Sequence, residues 1–133
     1  MKIIYILALL TFVMITISCR ETKPICPELP YYPQAQLTNF ETPTVSRIAS
    51  YQTTDTPGQV LNYYKHHLLN SGWELVNDIP EGITFFYINR EKVPPFSLDV
   101  VITTTQPGVT DFKVHLTMGG PYNWSNWCQT LRP

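Results

Sequence analysis

The side chains on which chemistry could be built are few: three histidines, four aspartates, six glutamates and a cluster of aromatic residues near the C-terminus. His66 and His67 are neighbours on a predicted helix, about 100° apart, so they cannot share one metal ion as an i, i+4 pair does. His115 falls on the polar side of a predicted strand. Three histidines without spacing logic and without a cysteine partner do not make a zinc site. No metal or other cofactor is expected. Asp99 and Asp111 also belong to polar strand faces and read as possible neighbours across the last turn, where a carboxylate pair could serve acid–base chemistry. Nothing in the sequence shows the burial that would split their pKa values, and Lys113 is an equally good neighbour for either. Asp55 precedes the helix and reads as a turn or capping residue. There is no Gly-x-Ser-x-Gly elbow and no glycine-rich phosphate loop. The expectation is that the chain is not an enzyme.

The stretch from Gly119 to Cys128 carries Tyr122, Trp124 and Trp127 interleaved with Asn123, Ser125 and Asn126. Aromatic faces beside amides suit stacking against a sugar ring or peptide, so these three aromatics are candidate ligand-stacking residues. The competing reading is that Trp124 and Trp127 pack over an open end of a sheet, as large apolar residues do in a small domain.

Cys19 is the remaining candidate, and its context is specific. One cation, Lys2, precedes an apolar run from Ile3 to Ile17 closed by Ser18. These are the parts of a secretory signal. The string from Ile15 to Cys19 resembles the lipobox of bacterial lipoproteins, in which a small residue precedes a cysteine that is diacylated and becomes the new N-terminus. Thr16 stands where that pattern prefers leucine. The run is also close to the ~17–25 residues of a membrane span, so an uncleaved N-terminal anchor is the alternative. Two acyl chains hold stably where one holds only marginally. The expected partner is therefore the membrane itself, with Cys19 on its extracytoplasmic side. Beyond residue 18 the chain carries eight Lys+Arg against ten Asp+Glu, because Lys2 is one of the nine cations. That balance offers no footprint for nucleic acid.

Two further cysteines, Cys26 and Cys128, are expected to form a disulfide in an exported chain. Closing so long a loop is worth ~4–5 kcal/mol in the chain-entropy account. Residues 19–44 contain Pro24, Pro27, Pro30, Pro33 and Pro43. Proline fixes φ and removes donors, so the stretch is expected as an extended tether, neither helix nor central strand.

The elements that must position all this follow from residue 45. A strand is expected over Val45–Thr53. Thr56, Pro57 and Gln59 form a capping box with proline at the first helical position. Val60, Leu61, Tyr64, Leu68 and Leu69 make one apolar stripe, and Gly72 suits a left-handed ending, giving a helix over Pro57–Ser71. Strands follow over Trp73–Val76, Ile83–Asn89, Phe96–Thr105 and Thr110–Met118. A turn is expected at Asn77, Asp78, Pro80 and Gly82, and another at Gln106-Pro107-Gly108. Phe96, Leu98, Val100, Ile102 and Thr104 share one face, and Phe112, Val114, Leu116 and Met118 alternate with polar residues. The fold class expected is α+β: a two-layer sandwich, β-α-β-β-β-β, with an antiparallel sheet of about five strands and one helix on its apolar face. The division is a signal over 1–18, a lipidated cysteine and tether over 19–44, the α+β domain over 45–118, and an aromatic tail over 119–133 tied back by Cys26–Cys128.

The run Thr53-x-Asp55-x-Pro57, then Val60, Tyr63-Tyr64, Leu68 or Leu69, and Gly72-Trp73 resembles the core of a group of small bacterial lipoproteins of uncharacterised function. Tyr32-Pro33-Gln34-Ala35 is similar to the Tyr-Pro-Gly-Ala that often precedes that core, with Gln34 in place of glycine. The resemblance covers roughly residues 32–118. It implies the fold and the lipid anchor, and brings no catalytic residue with it. The functional expectation is a lipid-anchored, non-catalytic interaction module of the cell envelope, meeting an envelope protein or glycan. The alternative is a carbohydrate or cell-wall binder using the tail.

Overall fold

The computed structural model describes residues 25–26, 29–87 and 96–119. The elements run β1 (Gln36–Glu41), β2 (Ser46–Thr53), α1 (Pro57–Leu69), β3 (Glu74–Ile79), β4 (Gly82–Tyr87), β5 (Phe96–Gln106) and β6 (Val109–Met118). The six strands form one sheet in the order β1-β2-β6-β5-β4-β3, with every neighbouring pair antiparallel. The α+β class and the meander from β3 to β6 are as expected. The strand count is not: β1 lies inside the stretch expected as tether. The prolines flank it at Pro33 and Pro43 and leave its amides free to pair, and it sits at the sheet edge, the position that tolerates proline nearby.

Helix α1 begins as the capping box requires. Thr56 is extended at φ −72°, ψ 156°. The Gln59 amide donates to Thr56 Oγ1 at 3.4 Å, and the Thr56 amide donates to Gln59 Oε1 at 2.8 Å. At the far end Gly72 adopts φ 83° and the Trp73 amide donates to the Leu68 carbonyl at 3.1 Å. That is the back-bond of a Schellman ending, which an L-residue at Gly72 would strain. Val60, Leu61, Tyr64 and Leu68 are buried, whereas Leu69 points outward and is about half exposed. Leu69 therefore leaves the stripe to which its spacing assigned it.

The covered face of the sheet is built from alternate residues in register. Ala49 faces Val114 and Tyr51 faces Phe112 across β2–β6; Leu98 faces Leu116 and Val100 faces Val114 across β5–β6; Phe85 faces Leu98 across β4–β5. Leu98, Leu116, Phe85, Val100 and Phe112 are fully buried. Two expectations about the strands fail for stated reasons. A register shift between Ile102 and Thr104 pairs Thr104 with Asp111, so Thr104 leaves the apolar face. Asn77 and Asp78 are strand residues, and the β3–β4 turn is the two-residue step at Pro80 and Glu81, between the paired Ile79 and Gly82.

Helix α1 lies over β3, β4 and β5. The β2 and β6 end of the same face is covered by the proline-rich leader, whose Cys26, Leu29 and Tyr32 join the core. The space left beneath it is a cavity of about 10 Å³ between the leader, Tyr51, Tyr64, Leu98 and Val114. That is room for one water at most. The layer over the sheet is helix plus strap.

Candidate functional site

The strap is held by side chains from three elements. Tyr32 Oη donates to Asp55 Oδ2 at 2.6 Å, and Asp55 lies in the β2–α1 turn. Tyr63 Oη, from α1, donates to the Tyr31 carbonyl at 2.8 Å. The Tyr32 ring meets Tyr63 edge-on at 5.0 Å and Phe112 of β6 edge-on at 5.8 Å. Tyr51 stacks on Phe112 at 5.3 Å. Burial first, and then the hydrogen bond and charge of Asp55, push the Tyr32 hydroxyl up to about 12. Burial alone does the same for Tyr51. Tyr64, enclosed in the core, is raised well above the usual tyrosine range, again by burial. These hydroxyls stay protonated and act as donors or acceptors within the packing. Asp55 therefore serves to fasten the leader, a role its position before the helix did not reveal.

Cys26 is buried and disulfide-bonded. Its partner is not among the described residues. Cys19, Cys128, Tyr122, Trp124 and Trp127 also lie outside the described residues.

The other face of the sheet is open and mixed, with exposed Phe86 and Val101 set among its polar residues. Its central row places Thr84, Asp99, His115 and Ile48 side by side across β4, β5, β6 and β2. Asp99 accepts from Thr84 Oγ1 at 2.7 Å, and His115 Nε2 lies 3.3 Å from Thr117 Oγ1. Asp111 is not Asp99's neighbour. It pairs with Thr104 and Gln52 instead, and its Oδ1 accepts from Gln52 Nε2 at 2.9 Å. The Asp111 and His115 rows are four steps apart along β6, about 13 Å of strand. The expected carboxylate neighbours are thus held apart, because the hairpin register sets Asp99 opposite His115. Lys113 faces Val101 and Ser50, in the row between them.

His66 and His67 lie exposed in the last turn of α1, with rings edge-on at 5.4 Å, and His67 also tilts against Tyr63 at 4.3 Å. Among the described residues no group of three or more His, Cys, Asp or Glu side chains is placed to hold a metal ion. An open depression of about 480 Å³ runs between α1 and β3, lined by Gly58, Leu61, Asn62, Lys65, Asp78, Ile79 and Pro80. Lys65 Nζ and Asp78 Oδ2 bridge it at 2.7 Å. Neither that depression nor the small cavity is lined by Asp99, Asp111 or His115. Among the described residues no helix is long and apolar enough to cross a membrane.

Residues 34–92 match a family model described as START domain-like. The match opens at Gln34, so it takes in β1 as well as β2, α1, β3 and β4. No curated protein and no solved structure matches the chain.

Proposed function

We propose that this chain is a lipoprotein of the cell envelope, anchored through Cys19 on the extracytoplasmic side of a membrane, and that its domain is a non-catalytic interaction module. One observation carries the reading: the leader that follows Cys19 is built into the core, with Cys26, Leu29 and Tyr32 buried and Tyr32 fastened to Asp55. A membrane anchor at Cys19 would be joined to the folded body within six residues. The cysteine inventory points the same way. The chain has three cysteines and Cys26 is in a disulfide. If the Cys19 sulfur carries lipid, only Cys128 is left as the partner, and the tail is tied to the strap. On the open face Asp111 lies in a different row from the Asp99–His115 pair, and the side-chain partners of these groups are hydroxyls and an amide. That arrangement suits a recognition surface better than acid–base chemistry. The START domain-like match begins after the strap residues Cys26, Leu29 and Tyr32, covers β1 to β4, and names no partner.

Intact-mass spectrometry of the membrane-extracted chain tests the reading. The expected species starts at Cys19, carries acyl mass and has lost two hydrogens to one disulfide. Cys19→Ser should leave the precursor unprocessed. A chain still starting at Met1 would sink the proposal. Recovery of a reproducible envelope partner with the intact lipoprotein would establish the module. Glycan binding abolished by Trp124→Ala and Trp127→Ala would instead favour the carbohydrate reading.

A further inference from the structure

Resting on the lipid-anchored reading, we propose that the anchor is a short leash that holds the domain against the bilayer surface, with the strap side toward the lipid headgroups and the open face of the sheet turned away. The leader was expected to lift the domain clear of the membrane over 26 residues, from 19 to 44. In the structure most of that length is spent inside the fold. Ile25 is already half-buried beside the small cavity, Cys26 is in the core, and by Gln36 the chain is in β1. Only six Cα steps separate Cys19 from Ile25. At full extension they span about 21 Å, which is less than the width of a body this size, about 30 Å. The body has no room to tumble freely above the headgroups.

The same length selects the face. Ile25 and Cys26 sit on the covered side of the sheet, against Tyr51 of β2 and Val114 of β6. To bring the opposite face to the membrane, the leash would have to pass round the β1 edge. It would cross two strands, about 10 Å, and then the thickness of the sheet layer, about 10 Å more. That path takes about 20 of the roughly 21 Å the leash can reach, so only a leash stretched straight, at the cost of nearly all its conformational freedom, could follow it. Thr84, Asp99, Lys113 and His115 therefore look away from the lipid and are what a partner approaching from the aqueous side would meet.

Neutron reflectometry of the acylated full chain on a supported phosphatidylethanolamine–phosphatidylglycerol bilayer tests the leash. The protein layer should begin within about 20 Å of the headgroups. Inserting twenty Gly-Ser residues between Lys23 and Pro24 should move it outward by about 25 Å, the mean span of such a linker. A water gap wider than about 20 Å under the unmodified acylated chain overturns the leash and leaves the lipid anchor standing. A chain without acyl mass that fails to bind the bilayer overturns both. For orientation, Lys113 is exposed, so a water-soluble amine reagent should modify it equally fast in the bilayer-bound chain and in a delipidated one. Five-fold or greater protection of Lys113 on the bilayer overturns the assigned face.

Discussion

Gln34 adopts φ 62°, the one positive-φ position held by a residue other than glycine among the described residues. It stands where the resembled pattern has glycine, in the turn between Tyr32 and β1. A left-handed step costs an L-residue roughly 1–2 kcal/mol, part of which glycine returns through its freer unfolded chain. Gln34→Gly should therefore stabilise the fold by about 0.5 kcal/mol and Gln34→Val should destabilise it by more than about 1 kcal/mol, read from urea midpoints. Tyr32 gives a second test. Its hydroxyl is raised from 10 to about 12 in the folded chain, so the protonated form favours folding. That contribution is complete below pH 10 and is lost as the pH climbs from 10 to 12, where the unfolded chain has released its proton and the folded one has not. Tyr51 adds to the same window. Stability should fall over pH 10–12, and less steeply in Tyr32→Phe, which also loses about 1–2 kcal/mol at neutral pH by leaving Asp55 without its donor. An unchanged slope would mean that Tyr32 does not titrate as the geometry requires.

The elements show why some positions are intolerant. At the start of β4, a Cβ on Gly82 would lie 2.8 Å from the Val100 carbonyl oxygen and 3.4 Å from Val101 Cα. Both are backbone atoms of the paired strand and cannot swing aside. Gly82→Ala should cost about 1–3 kcal/mol, measured by denaturant unfolding; a neutral result would show that β4 and β5 can separate there. The Lys65–Asp78 bridge is the contrast. It joins α1 to β3 with both side chains part-exposed, so Asp78→Asn should cost under about 1 kcal/mol and less in high salt. Both sheet edges carry a register shift, between Leu37 and Asn39 in β1 and between Leu75 and Asn77 in β3. Such bulges interrupt the row of amides and carbonyls another strand would need. Exposed Leu75, Val76 and Ile79 on β3 are thus accompanied by a device against edge pairing. Helix α1 and the apolar alternation of β6 were legible because capping and periodicity are local. The bulges were not, since a bulge is a mismatch between two strands and neither strand announces it alone.

For the whole molecule, the strap would join the proposed anchor to the core, and the proposed Cys26–Cys128 bond would join the tail to the strap. If Cys19 bears lipid, Cys128→Ser should leave Cys26 as a free thiol and lower stability by about 2–5 kcal/mol; retention of a Cys26 disulfide in that variant would assign Cys19 as its partner and remove the lipid. The residues that fasten the strap were present in the sequence as Tyr32, Asp55 and Tyr63, and only their roles were hidden. Read alone, the proline-rich leader is a chain without donors, and physics permits either a free tether or a covering strap. What decides is whether half of a six-stranded apolar face is left uncovered by the single helix, and that depends on which strands the helix crosses. By itself the sequence determined the helix, its caps, the meander strands and the cysteine at the end of an apolar leader, because each is written in residue types within a few positions. The tertiary structure alone decided the sixth strand, the seating of the leader, and the separation of Asp99 from Asp111. Each of these rests on the register between separate strands or on burial shared among several elements, and no pattern within one strand encodes either.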